Sequence, residues 1–189
     1  MNFHCLYIND HANNALHELA HGLVALSANV TKSVILFSDA AVIDWKMDEV
    51  NPAQRIQVHV AGLGANDYVA NEANIETVKD LYGRKSVSVW DHDRDVYDWE
   101  TDPNSDFSKA DDAYHEMLDA GVLPHTAAKL AARGRLKGAL FAHMAHYSGL
   151  LSEVTNHSDD FLLTKTHLLQ CFSVIPQTSV EDMIDACFD

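Results

Sequence analysis

Two histidines separated by three residues are the strongest chemical feature of the sequence. His17 and His21 belong to the run His-Glu-Leu-Ala-His, in which Glu18 directly follows the first histidine. Residues four apart on a helix lie one above the other on the same face, so both imidazoles could bind one metal ion. Glu18 lies about 100° further around the helix, where it can reach a metal-bound water without binding the metal. The pattern predicts His17 and His21 as metal ligands and Glu18 as a catalytic base.

Zinc is the expected cofactor of such a site. A zinc ion held by three protein ligands keeps a fourth position for water, and it lowers the pKa of that water to about 7. Glu18 would accept the proton of the water and later pass it to the leaving amine. The predicted function is therefore that of a hydrolase, a zinc-dependent metalloprotease that cleaves peptide bonds.

The residues around the histidines predict the elements that position them. A polar Asn-Asp pair offers an N-cap, and apolar residues then recur at helical spacing, so a helix is predicted over about residues 10–28. Short β-branched segments at 30–36 and 41–45 predict two strands of a small hairpin or sheet. Further segments are predicted as helices at 53–69, 74–82, 107–120, 125–155 and 159–174, with a strand-like run at 87–90 and an irregular acidic loop at 91–106.

These elements predict a mainly α-helical α+β fold: a site helix, a small β-hairpin or sheet, and then a helical bundle. The chain of 189 residues shows no flexible linker, so a single domain over residues 1–189 is expected.

The amino-acid composition limits which binding partners and which cellular compartment are expected for this protein. The chain has 13 Lys and Arg against 28 Asp and Glu, a formal charge of -15, which disfavours nucleic acid and anionic membrane surfaces as partners. Its three cysteines are widely spaced, which predicts neither a disulfide framework nor a cysteine metal site. No apolar stretch reaches the roughly 18 residues that a membrane span needs. A cytoplasmic protein is expected.

Residues 15–26, Ala-Leu-His-Glu-Leu-Ala-His-Gly-Leu-Val-Ala-Leu, and the strand segment that follows them carry a family resemblance. They resemble the peptidase domain of the FtsH-type zinc proteases, in which HExxHALVA begins the site helix and a V-x-K-V-T-I strand comes next. Residues 60–67 stand where that family has a GGRAAEE helix. The resemblance extends over about residues 10–145 and implies an FtsH-like metalloendopeptidase.

The resemblance also implies a third metal ligand. In the family it is an aspartate in an N-D-x-x-x-A stretch that begins a later helix, and the best match here nominates Asp106. A position at a helix start suits a carboxylate, because free backbone N–H groups and the helix dipole favour negative charge there. Glu72 is a rival, since residues 71–74 resemble an E-x-E-A-N element of the ImmA/IrrE-type regulators, which also contain HELxH. Minor alternatives are Asp111, Asp112 and Glu116.

The family joins its peptidase domain to a membrane anchor and an AAA-type ATPase, and this sequence shows neither. The expected partners are therefore an exposed or unfolded protein or peptide substrate, and a separate ATPase or a second copy of the chain in a homo-oligomer. The alternative prediction is a non-catalytic or regulatory metal-binding protein of ImmA/IrrE-like or partner-binding type.

Overall fold

The structure is a computed structural model, and it describes residues 10–46, 50–85, 90, 102–157 and 159–188. Residues 87–89 of the strand-like run predicted at 87–90, and residues 91–101 of the predicted acidic loop, lie outside the described residues. Within the described part of the chain, no helix combines the length and the apolar character that crossing a membrane requires.

Helices make up most of the described chain. They are α1 (Asp10–Ser27), α2 (Pro52–His59), α3 (Ala61–Ala70), α4 (Ile75–Lys85), α5 (Asp106–Asp119), α6 (Pro124–Tyr147), α7 (Leu150–Thr155), α8 (Lys165–Phe172) and α9 (Gln177–Phe188). The strands are β1 (Ser33–Leu36), β2 (Ala41–Ile43) and β3 (Phe161–Thr164). The predicted mainly helical α+β fold is confirmed.

The apolar stripe of α1 forms the centre of the core. Leu16, Leu19 and Leu23 are fully buried, and the helix packs against α3, α6 and the sheet. Burying a leucine side chain stabilises a fold by about 1.5–3 kcal/mol, so this stripe fixes the rotation of α1 about its axis. That rotation also determines the direction in which His17 and His21 extend from α1.

The three strands form one antiparallel sheet in the order β2-β1-β3. Val34 of β1 lies opposite Ile43 on one side and Leu163 on the other. Val34 and Leu163 are fully buried against α1, where a Cβ atom on Gly22 would come within 2.6 Å of the Leu163 side chain. The missing side chain of Gly22 therefore lets the sheet approach the site helix.

The sequence placed α1 and the β1-β2 hairpin correctly, but two long predicted helices are interrupted. The helix predicted over 53–69 is divided at Val60 into α2 and α3, where Gly62 and Gly64 follow and glycine is a weak helix former. The helix predicted over 125–155 ends at Tyr147, because Gly149 adopts a left-handed conformation with φ 85° before α7 begins.

The end of the chain differs more from the prediction. The segment predicted as a helix over 159–174 begins with strand β3, which pairs with β1, and only then becomes α8. A four-residue apolar run fits a strand or a helix equally well, so its pairing partner decides between them. The prediction also missed α9 and ended the helix at 74–82 three residues too early.

Glycines set the close packing of α3 on α6. A Cβ atom on Gly64 would lie 1.8 Å from the Arg135 carbonyl oxygen, and one on Gly138 would lie 2.0 Å from the Ala61 carbonyl oxygen. An ion pair fixes the same interface, because Asp67 accepts hydrogen bonds from Arg135 Nε at 2.7 Å and Nη2 at 2.9 Å. The position of α3, which borders the site described below, is therefore determined by backbone contact with α6.

We expect Gly138→Ala to destabilise the fold by about 3 kcal/mol, the upper end of the usual range for overpacking, because its methyl group would displace the backbone of α3. Urea unfolding followed by circular dichroism measures this change. Thr126→Ala, at an exposed position of the same helix, is the control and should change the free energy of unfolding by less than about 0.5 kcal/mol. Equal stability of the two variants would contradict the proposed packing.

Candidate metal centre

Three side chains from two helices converge at one point. His17 and His21 extend from α1, and Asp106 extends from the first turn of α5. The two Nε2 atoms are 3.1 Å apart, and Asp106 Oδ2 lies 3.1 Å from His17 Nε2 and 3.0 Å from His21 Nε2. The three atoms form a nearly equilateral triangle. Among the described His, Cys, Asp and Glu residues, these three form the group whose side chains lie close enough together to hold a metal ion.

Hydrogen bonds on the far side of each imidazole determine its tautomer. His21 Nδ1 lies 2.6 Å from the Val58 carbonyl oxygen, which can only accept, so this nitrogen carries the hydrogen. His17 Nδ1 lies 3.2 Å from Asn66 Oδ1, which is also an acceptor. In both neutral rings the Nε2 atom therefore presents a lone pair to the centre of the triangle, as metal-binding histidines do.

Three electron-rich atoms at this separation repel one another unless a positive charge lies between them. Asp106 in its ionised form is also only an acceptor, so the neutral tautomers leave no hydrogen atom inside the triangle. Either a protonated imidazole or a bound cation must compensate this arrangement. The three groups could therefore hold a cation.

The electrostatic interactions among these side chains also shift the pKa values of Asp106 and His17. Burial alone would raise the pKa of Asp106, but its interactions with His17 and His21, when these rings are protonated, hold it well below its usual range. Burial alone would lower the pKa of His17, but the hydrogen bond to Asp106 and the charge of Glu18 raise it. Both shifts favour a proton on an imidazole beside an ionised Asp106.

Local structure positions Asp106 at the start of a helix. Ser105 is the N-cap of α5, and its side-chain oxygen accepts a hydrogen bond from the Ser108 backbone at 3.1 Å. Asp106 is the first residue of the helix, where the dipole and the free N–H groups stabilise a carboxylate. The cap therefore holds the third side chain against α1.

A glycine in α3 provides the space for the two imidazoles. A Cβ atom on Gly62 would lie 2.4 Å from His17 Nε2 and 2.5 Å from His21 Nε2. Any side chain at this position would push the rings out of their present positions. Gly62 and Asn66 lie one helical turn apart, so α3 supplies both the space and the hydrogen-bond acceptor of His17.

Glu18 borders the triangle without belonging to it. Its carboxylate is half-buried and accepts a hydrogen bond from the backbone of Ala41, at the start of β2. Burial raises the pKa of Glu18 above its ordinary value, although the neighbouring His21 and His17 oppose this effect. A carboxylate of raised pKa is a stronger base, which suits proton transfer near neutral pH.

A cleft of about 310 Å³ opens onto Glu18, His21 and Asp106. Ile43, Trp45 and Val58 form an apolar part of its wall. His59 and Lys109 supply a polar part. Burial, together with the neighbouring His21, lowers the pKa of His59 to about 4, so its ring is uncharged at neutral pH.

The structure brings together His17, His21 and Asp106, and it places Glu18 beside them, as the sequence predicted. Glu72 is exposed in the turn between α3 and α4 and is not part of the group. The minor alternatives are also outside the group: Asp111 pairs with His115, Glu116 pairs with Arg55, and Asp112 is exposed on α5.

Sequence reasoning missed Asn66, Gly62 and His59. The segment 60–67 was noted for its family resemblance, but nothing in a single sequence indicates which side chain of a neighbouring helix reaches the back of a histidine. The two glycines of that segment were the available indication, since glycine inside a helix usually reflects close approach of another group.

Comparisons with protein-family models, with curated proteins and with solved structures found no match to this chain. The resemblance to FtsH-type peptidases therefore stays a prediction.

We expect Asn66→Leu to weaken zinc binding by about 10- to 100-fold, because His17 loses the acceptor that orients its ring and fixes its tautomer. Asn66→Asp keeps an acceptor oxygen in the same place and should bind zinc at least as tightly as the original protein. Competition with a chromogenic chelator measures both affinities. Equal zinc affinity in the leucine and aspartate variants would show that this hydrogen bond does not support the site.

Gly62→Ala tests the space that the imidazoles occupy. The added methyl group should displace one or both rings. We expect the affinity for zinc to fall by about 10-fold or more, as it does when a supporting contact of a metal ligand is lost. Ala65→Gly is the control, since it weakens the same helix by about 1 kcal/mol without approaching the histidines. Zinc titration and thermal unfolding should be measured together. Full zinc affinity in Gly62→Ala would contradict the role assigned to this glycine.

Proposed function

We propose that this protein is a zinc-dependent metallopeptidase in which His17, His21 and Asp106 hold the metal and Glu18 is the general base. The observation that supports this most directly is the triangle of Nε2, Nε2 and Oδ2 atoms with sides of 3.0–3.1 Å. Ligand atoms bound tetrahedrally to zinc at about 2.0–2.1 Å are about 3.3 Å apart. Small shifts of the three side chains would complete the coordination.

The donor set and the surroundings favour zinc over other common cations. Two imidazole nitrogens and one carboxylate oxygen match three-ligand catalytic zinc sites, whereas calcium and magnesium prefer oxygen ligands throughout. Three protein ligands would leave one coordination position of zinc free, and two of them, His21 and Asp106, line the cleft. A zinc ion held there supplies a nucleophile at neutral pH and polarises a substrate carbonyl group.

Glu18 provides the proton transfer. Its carboxylate takes a proton from the attacking water as the new C–O bond forms. The same carboxyl group then gives that proton to the amide nitrogen as the C–N bond breaks. The Ala41 N–H group holds the carboxylate in place, so Glu18 is oriented toward the cleft rather than free in solvent.

The sheet supports a peptide as the substrate. Among the described strands, β2 lies at the edge of the sheet, and Ala41 and Ile43 line the same cleft as Glu18. An extended peptide could add to such an edge through backbone hydrogen bonds, which would align its scissile bond with the candidate metal. This mode of binding requires an exposed or unfolded segment of the substrate protein.

Glu18→Gln separates catalysis from metal binding. The variant removes the base but keeps every proposed zinc ligand, so zinc content should stay at one ion per chain while casein cleavage falls by at least 100-fold. Zinc content is measured by elemental analysis of the purified protein, and cleavage by release of labelled casein fragments.

His17→Leu, which removes a proposed zinc ligand, is the matched variant and should lose both zinc and activity. Zinc in the original protein without any cleavage of casein or of short peptides would contradict the peptidase proposal and favour a regulatory metal-binding protein. Absence of stoichiometric zinc would contradict the proposed centre itself.

A further inference from the structure

A polar side chain in the cleft, that of His59, has no hydrogen-bond partner in the part of the chain that the structure describes. His59 is the last residue of α2 and lines the cleft with Glu18, His21 and Asp106. Its ring packs against Trp45, with the centroids 5.5 Å apart, and neither ring nitrogen hydrogen-bonds to another described residue. A half-buried imidazole of this kind is available to bind a ligand.

The position of His59 is fixed relative to the candidate metal centre. The preceding residue, Val58, uses its carbonyl oxygen to accept the hydrogen bond from His21. Any movement of this end of α2 would therefore also disturb a proposed zinc ligand. Trp45, which lines the same cleft, packs against the His59 ring and restricts its rotation.

His59 and Glu18 extend into the cleft from different helices, and their side chains differ in chemistry: Glu18 can accept a proton, whereas His59 can donate a hydrogen bond. Glu18 extends from α1 and is held by the start of β2, whereas His59 extends from the end of α2, near Lys109 of α5. An uncharged imidazole keeps one N–H group that can donate a hydrogen bond. The positive charge of Lys109 on the same wall favours a ligand that gains negative charge.

We propose that His59 is a catalytic residue that donates a hydrogen bond to the carbonyl oxygen of the scissile peptide bond. This inference rests on the proposed peptidase function. When water attacks the carbonyl carbon, the C–O bond to the water forms and the π electron pair moves onto the carbonyl oxygen. His59 donates to that oxyanion without giving up its proton, while Glu18 takes the proton of the water. Donors aimed at a developing oxyanion act mainly in the transition state.

The test compares His59→Ala and His59→Gln with the original protein, all loaded with zinc. For His59→Ala we expect kcat on a fluorogenic peptide to fall by about 100- to 1,000-fold, with KM and zinc content within twofold of the original values. His59→Gln keeps an N–H donor and should recover part of the loss. His125→Ala, which removes an exposed histidine at the start of α6, is the matched control and should leave kcat unchanged.

Binding of a phosphinic analogue of a leucine-containing tetrapeptide gives a readout that needs no turnover. The phosphinic group is tetrahedral and negatively charged, so His59→Ala should bind it at least 10-fold more weakly, whereas binding of the uncleaved product peptides should change little. An unchanged kcat in His59→Ala, or loss of zinc together with kcat, would overturn the role of His59 while leaving the peptidase proposal intact. An original protein that holds zinc but cleaves no peptide would overturn both proposals.

Discussion

The convergence of three electron-rich atoms on one point is the constraint on which the site depends. His17 Nε2, His21 Nε2 and Asp106 Oδ2 lie within 3.0–3.1 Å of one another, and the tautomers imposed by Asn66 and Val58 turn both nitrogen lone pairs inward. Without a cation or an added proton this arrangement is unfavourable, because like partial charges at such distances repel strongly when partly buried. The rest of the fold must therefore hold the three groups together against their own repulsion, which is the property that gives a site high affinity for a metal ion.

The three groups are held in position by the packing of the helices rather than by interactions among the site residues themselves. The buried leucines of α1 fix the direction of its histidine face, and the contact of α3 with α6 across Gly64 and Gly138 brings Gly62 and Asn66 against the rings. The ion pair of Asp67 with Arg135 lies one residue beyond Asn66 and fixes the same turn of α3. A preorganised site of this kind would need only small side-chain shifts to bind an ion, so little of the binding free energy would be lost in ordering side chains.

Local patterns in the sequence were enough for the elements closest to the chemistry. The helix with the two histidines, the hairpin after it and, to within one residue, the start of α5 all follow from local sequence patterns, which are properties of neighbouring residues. Asp106, 85 residues away from His21, was nominated through a family resemblance and not through spacing. Asn66, Gly62 and His59 could not be predicted, because their roles depend on how α2 and α3 lie across α1. Strand β3 was missed for the same reason: only its pairing with β1, over a hundred residues earlier, distinguishes it from a helical turn.

The interruption between α2 and α3 determines which backbone and side-chain groups reach the two histidines. A single straight helix over 53–69, as the periodicity predicted, would run in one direction past α1. The interruption at Val60 instead places the end of α2 and the beginning of α3 on the same pair of histidines. Val58 then reaches His21, Asn66 reaches His17, and His59 enters the cleft beside them. The two helices on either side of this interruption therefore supply the supporting hydrogen bonds of both imidazoles, one from each helix.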